Sequence, residues 1–234
     1  MKPKIFILLY AIVCICITFN TEQDWKGHTF VWDASGYHLY LPAAIIYHDL
    51  GKLSFYNRIH EKYLATNRMG NYYSLYLQPD GKYLNKYAIG TAVFQLPFFL
   101  CAHAYCLVAK DYPADGYSHP YEWAAAISII LWLAAGLWFL SLFLRKYYTD
   151  NVVCCVLACV TLGTNLHYYT AFEYGMSHTY SFFLFSILLY YTDKWYDSFR
   201  LRDMCILGIV VGFIAIVRPS NLLIAIIPLF LESI

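Results

Sequence analysis

Apolar runs recur along the chain with only short polar breaks. Runs free of Asp, Glu, Lys and Arg fall at 5–19, 88–109, 123–144, 152–169, 174–192 and 204–217, and another opens at 222–231. A helix needs about 20 apolar residues to cross the hydrocarbon core of a bilayer. Run lengths near that value predict an all-α integral membrane protein of about six transmembrane helices, with residues 1–234 as a single membrane domain. The run 123–144 is the cleanest. The run 88–109 is the weakest, because Gln95, Pro97 and His103 interrupt it.

Basic loops set the orientation, since short Lys/Arg-rich loops stay in the cytoplasm. Lys2 and Lys4 place the N-terminus there, ahead of an uncleaved first span, because no small-x-small cleavage pattern follows the first run. Arg145 and Lys146 in one short loop, and Lys194, Arg200 and Arg202 in another, belong on the same side. Both loops reach that side only if 88–109 is re-entrant or lies on the surface. Such a segment is tolerated where protein or a wet cavity covers it. Residues 20–122 then form one long extracytoplasmic loop, and Asp33, Glu173, His178 and Arg218 share its face.

Within that loop, 33–50 reads as an amphipathic helix lying on the membrane. Tyr40, Ala44, Tyr47 and Leu50 approximate one face, and Pro42 kinks it. Residues 57–86 are polar and Tyr-rich, with turn signals at Met69-Gly70-Asn71 and Pro79-Asp80-Gly81. The chain breaks off within the apolar run that opens at Leu222, so it reads as the N-terminal part of a longer protein.

Composition sharpens this picture. The chain is 60% apolar and 13% charged, against about 25% charged residues in soluble domains. Its net charge of +1 gives no sign of a nucleic-acid partner. The 24 Tyr suit a membrane interface, where one end of the ring is apolar and the other wet. Eight Cys lie inside apolar runs, without metal-ligand spacing or a disulfide framework, and read as small buried side chains.

Four stretches carry a resemblance to a known class. They are Trp32-Asp33 through Tyr40-Leu41-Pro42; Lys86-Tyr87 through Gly90 and Pro97; Asn165-Leu166-His167-Tyr168-Tyr169 through Glu173 and Ser177-His178; and Arg218-Pro219-Ser220-Asn221, after Gly208 and Gly212. In this layout the chain resembles the GT-C membrane glycosyltransferases, in the bacterial protein-mannosyltransferase and aminoarabinose-transferase branch. Members of that class carry an essential acidic residue and membrane-surface helices in a long loop after the first span. A second acidic residue lies in the next extracytoplasmic loop. The resemblance implies an enzyme of the bacterial cytoplasmic (inner) membrane. It would move a sugar from a polyprenyl-phosphate donor to an acceptor glycan, lipid or protein. The second loop here has Glu173 without an Asp-x-Asp pair, so no cofactor is expected; the alternative is a divalent metal held by Asp33, Glu173 and His178.

Under that resemblance Asp33 and Glu173 are the catalytic candidates, and Arg218, His178, Lys86 and Asn221 the substrate-binding ones. Asp33 can take the proton of an attacking hydroxyl or cap the helix it opens. Arg218 can bind a phosphate bidentately or snorkel to head groups as an anchor. Glu173 can orient the acceptor and His178 can bond a sugar hydroxyl or phosphate, or both can form a polar loop tip. Lys86 is a phosphate ligand or a solvated Lys. A surface-polysaccharide polymerase or ligase also handles polyprenyl-linked sugars, but with its large loop later in the chain. A multi-span transporter wants ionisable or broken positions near the midplane, whereas the charges here cluster at one face.

Overall fold

The computed structural model describes residues 2–20, 29–64 and 73–230. Helices dominate them, in the order α1 (Pro3–Asn20), α2 (Trp32–Ile45), α3 (Tyr56–Ile59), α4 (Gly90–Ala109), α5 (His119–Leu144), α6 (Asp150–Leu162), α7 (Leu166–Ala171), α8 (His178–Ser198) and α9 (Leu201–Val217). A π-helical stretch, His60–Leu64, extends α3, and a 3-10 helix, Pro219–Leu229, follows α9. One element departs from the expected all-α chain: an antiparallel hairpin of β1 (Leu75–Leu77) and β2 (Tyr83–Asn85) that pairs Tyr76 with Leu84. It turns at Pro79-Asp80-Gly81, where Gly81 takes the left-handed φ of 79° that glycine adopts without steric cost. Met69-Gly70-Asn71 lies outside the described residues.

Among the described residues, three helices are long and apolar enough to cross a membrane: α1, α4 and α5. Of these, α1 and α5 match expected spans, and α4 is the run 88–109 that was expected to be re-entrant or surface-lying. Helix α8 is long but carries Asp193, Lys194 and Asp197 near its end. Helices α6 and α9 have only 13 and 17 residues. The run 152–169 is not one helix, because α6 ends at Gly163. The Thr164 hydroxyl then accepts from the Leu166 amide (3.2 Å), and the chain restarts as α7.

Helix α5 is the centre of the bundle. Its buried residues mix large side chains, such as Tyr121, Leu133 and Leu137, with small ones, Ala124, Ala125, Ser128 and Gly136. A Cβ on Gly136 would stand 2.9 Å from the Phe182 ring. Small residues of this kind let helix backbones approach closely. Helix α8 runs parallel beside it, with Ser128 next to Tyr180 and Phe139 next to Tyr190. The outer surface is aliphatic: Leu8, Leu9, Ile12 and Val13 on α1, and Ile127 and Leu131 on α5, are exposed.

The helix directions define two ends. At one, Arg145 pairs with Asp150 (2.9 Å), and Lys146 with Asp193 (2.9 Å) and Asp197 (2.7 Å). Lys2 and Lys4 fall there too, since Thr18, at the far end of α1, bonds the Ala171 carbonyl (3.1 Å). The opposite end gathers the starts of α2, α5 and α8 and the close of α9. Here the Thr29 amide donates to Glu122 Oε1 (2.8 Å) and its hydroxyl to the Tyr174 hydroxyl (2.9 Å). The segment between α1 and α5 therefore leaves and rejoins the bundle at the same end. Helix α4 lies antiparallel to the first half of α5, with Phe94 beside Trp132 and His103 Nδ1 at 2.7 Å from the Tyr121 hydroxyl. It meets α9 through its first two turns, at Gly90 and Phe94.

Helix α2 corrects the reading of 33–50 as a surface helix. It ends at Ile45, and nine of its 14 residues are buried. Ala34, Ser35 and Gly36 are small enough for neighbours to close on several sides. Gly175 packs against Ala34, Tyr87 against Gly36, and the His38 ring stacks on Phe30 at 3.5 Å. Tyr47 lies beyond the helix and stacks on Phe55 at 3.9 Å.

Candidate functional site

Asp33 is the second residue of α2; Val31 is the cap, so Asp33 does not fill that role. The entry is strained, because Trp32 has a φ of 50°, a region that costs a bulky residue about 1–3 kcal/mol. Asp33 Oδ1 accepts a short hydrogen bond from the Tyr87 hydroxyl. Tyr87 is fixed on both sides. Its amide donates to Asn85 Oδ1 (3.0 Å), and its carbonyl accepts from the Tyr40 hydroxyl (2.6 Å). Its ring leans on Tyr37 at 4.7 Å. Burial, and then the Asp33 carboxylate, push the Tyr87 phenol well above its ordinary range, so it stays a donor. The Lys86 ammonium sits 3.7 Å from the Tyr73 ring centre and 5.0 Å from that of Tyr87, in cation–π contact. Lys86 is thus beside Asp33 but aimed at rings.

The second half of the site lies where α8 begins and α9 ends. Arg218 Nη1 is 3.2 Å from His178 Nε2. A guanidinium has donors only, so Nε2 accepts and the imidazole is neutral. The His178 ring stacks on Tyr169 at 3.9 Å. Pro219 ends α9, and the 3-10 turn brings the Asn221 amide onto the Arg218 carbonyl (2.9 Å). Asn221 Nδ2 then donates to Ser181 Oγ (2.9 Å). Glu173 Oε1 accepts from the Tyr168 hydroxyl (3.2 Å) at the rim.

The halves are joined by the Ser177 hydroxyl, which donates to the Tyr37 hydroxyl (3.1 Å), and by Gly175 against Ala34. Asp33, Glu173 and Arg218 all act electrostatically on His178. All six residues singled out from the sequence thus stand at one end of the bundle. A cavity of about 360 Å³ opens there, with Arg218, His178, Asn221, Asn165, Ser181 and Thr164 as its polar part and Leu166, Phe182 and Phe185 among its walls. Asp33, Glu173 and Lys86 do not line it. Sequence reasoning missed Tyr87, Tyr37 and Ser177. Among 24 tyrosines, only the adjacency of Tyr87 to Lys86 hinted at it.

No three His, Cys, Asp or Glu side chains among the described residues stand close enough to hold a metal ion. The eight cysteines are free thiols. The fold and site define a mostly helical protein, with three helices able to cross a membrane and a polar cluster at one end. No protein-family model, curated protein or solved structure matches the chain.

Proposed function

We propose that this chain is a GT-C-type membrane glycosyltransferase that moves a sugar from a polyprenyl-phosphate donor to a hydroxyl acceptor at the extracytoplasmic face. The observation that carries the reading is a cation with no ion pair among the described residues at a largely apolar cavity. Among the described residues Arg218 holds no carboxylate, and its bonded neighbour is the neutral His178. A guanidinium beside walls of Leu166, Phe182 and Phe185 suits an amphiphile with an anionic head and an isoprenoid tail.

In the proposed reaction the acceptor oxygen attacks the anomeric carbon and its proton passes to Asp33. The bond from that carbon to the phosphate oxygen breaks. The carrier phosphate leaves with its negative charge against Arg218 and Asn221. Glu173 orients the acceptor from the rim. Lys86, held over two rings, adds positive field near the site. In this reading α1, α5, α6 with α7, α8 and α9 span the bacterial inner membrane, the basic end is cytoplasmic, and α4 enters the bilayer only at its start.

Reconstituted protein supplied with labelled polyprenyl-phosphate sugars tests the reading. Asp33→Asn is expected to cut transfer about 10²- to 10⁴-fold, the worth of a positioned base, with insertion unchanged. Wild-type turnover in that variant removes Asp33 as the base. Failure of the intact protein to bind any such donor overturns the assignment.

A further inference from the structure

Five large apolar side chains outside the long helices, Leu50, Tyr76, Leu77, Leu84 and Ile89, are between 46% and 63% exposed. Leu77 alternates to the other face of its strand, and the other four are contiguous. Tyr76 and Leu84 are cross-strand partners on the hairpin, and Leu50, Leu84 and Ile89 border one groove of about 260 Å³ walled by Leu39, Ala43 and Leu53. A joined patch of this kind marks an interaction surface. The hairpin tip is polar, with Pro79, Asp80, Gly81 and Lys82 exposed, so the hairpin does not plunge tip-first into an apolar medium. Lys52 and Lys82 flank the groove: the Gly51 carbonyl accepts from the Tyr83 amide (2.9 Å), and the Lys82 stem lies over Gly51. Long basic side chains beside an apolar face suit a head-group layer. The patch is also continuous with the outer surface of the bundle. Ile89 leads directly into Gly90, which packs on the backbone of Ile216 and Val217 at the end of α9.

We propose that the hairpin lies flat on the bilayer leaflet at the Asp33 end, and that the groove behind it receives a phospholipid acyl chain. Lipid contact expected of α2 thus passes to the hairpin. The proposal needs the helices to sit in a membrane and is independent of any transferase activity.

The test is photolabelling of the reconstituted full chain in phosphatidylcholine–phosphatidylglycerol vesicles that contain a phospholipid with a diazirine at mid-chain. Adducts are mapped by mass spectrometry. The outward residues Leu8 and Leu131 report whether the helices are inserted. Adducts on those two and also on Leu84, Ile89 and the groove wall at Leu39 or Ala43 are expected. Leu84→Glu with Leu50→Glu should cut labelling of the patch at least fivefold and leave Leu131 unchanged. Labelling of Leu8 and Leu131 with none at 50 or 76–89 overturns the proposal. Labelling of Leu84 with none at Leu39 or Ala43 removes the acyl chain from the groove. No labelling at Leu8 and Leu131 removes the membrane itself, and the proposal with it. Cross-linking of the patch to a second copy, in place of lipid, assigns it to a protein contact and overturns it too.

Discussion

Gly36→Ala is the sharpest test of the Asp33 environment, because two opposed effects of similar size meet there. Gly36 is interior to α2, and Ala in place of Gly inside a helix gains about 0.8–1.0 kcal/mol. Against that, the new Cβ would stand 2.8 Å from Ser74 Cβ and closer still to the Tyr87 ring. Tyr87 cannot swing away freely, since Asn85 and Tyr40 hold its backbone and Asp33 its hydroxyl. Overpacking costs about 1–3 kcal/mol. The other route, a ring shift that breaks the bond to Asp33, costs about 1.5–3 kcal/mol for a hydrogen bond to a charged group. The protein takes the cheaper route, and after the propensity gain the net loss is about 0–2 kcal/mol. Gly208→Ala is the control: a Cβ there meets nothing within 4 Å, so it should gain about 1 kcal/mol by propensity alone. Equilibrium unfolding of both variants in one detergent compares them. In a Tyr87→Ala background the ring clash is gone and only the Ser74 contact remains, so the cost of Gly36→Ala should fall, a non-additivity of about 1 kcal/mol or more. If Gly36→Ala stabilises as much as Gly208→Ala in the otherwise native protein, the Tyr87 ring is not packed on α2 and the description of the Asp33 site fails.

Three further outcomes are expected. Gly90→Ala would put a Cβ 2.5 Å from the backbone carbon and oxygen of Ile216; backbone cannot give, so the loss should reach the upper end of the overpacking range, about 3 kcal/mol, read by the same unfolding assay. Arg218→Ala should weaken binding of a polyprenyl-phosphate sugar by about 10- to 100-fold, the worth of one charge-assisted bond; Arg218→Lys should restore part of it, since Lys lacks the fork, and unchanged affinity in the Ala variant takes Arg218 out of the site. The amide and hydroxyl of Ser54, with the Lys52 amide, hold the Asp49 carboxyl down at about 2. A depressed folded value means the turn's contribution is complete above an unfolded value of about 3.9 and fades as pH falls through about 2. Hydrogen exchange of the Ser54 amide should therefore lose protection only below about pH 4, and protection that is flat down to pH 2 refutes the clamp.

The helices were largely legible in the sequence, since runs without charge leave few alternatives to a buried or lipid-facing helix. The boundaries were not. Gly163-Thr164-Asn165 splits 152–169 because Gly163 ends α6 and the Thr164 side chain serves the next amide, a local hydrogen bond that an apolar count does not register. The hairpin was half visible: Pro79-Asp80-Gly81 signals its turn, but Leu-Tyr-Leu and Tyr-Leu-Asn are too short to read as strands. Helix α2 was misread because spacing gave it an outer face, while Ala34, Ser35 and Gly36 let other segments close on it. That the six residues singled out stand at one end of the bundle was legible from the side on which the basic loops place them. What joins them was not, because the Tyr37–Ser177 bond links residues 140 apart in the chain.

The setting of the bundle's cations, more than their pairing, separates the two roles open to Arg218. Lys62 pairs with Asp115 (2.9 Å) in the segment between α1 and α5, while Lys2, Lys4 and Arg200, opposite Asp33, hold no carboxylate among the described residues. At the end opposite Asp33, Arg145, Lys146, Lys194 and Arg202 each stand within 3.9 Å of a carboxylate. The Arg145 and Lys146 pairs lie at the surface, where each contributes little, while Lys194 and Arg202 stand over the buried Asp203. Arg218 has no such partner among the described residues, and a head-group anchor would send its guanidinium outward to water. Instead the side chain turns inward onto His178, beside Asn221 and a largely apolar cavity. The imidazole it touches is neutral and so cannot balance the charge. A cation kept in an apolar setting without a counter-charge is unfavourable unless another charged group completes it. Asp33 and Glu173 act electrostatically on His178 together with Arg218, but they accept from the Tyr87 and Tyr168 hydroxyls and form no ion pair with Arg218 among the described residues. In the proposed reading the anionic head of the donor takes that direct contact, with its tail against the apolar wall of the cavity.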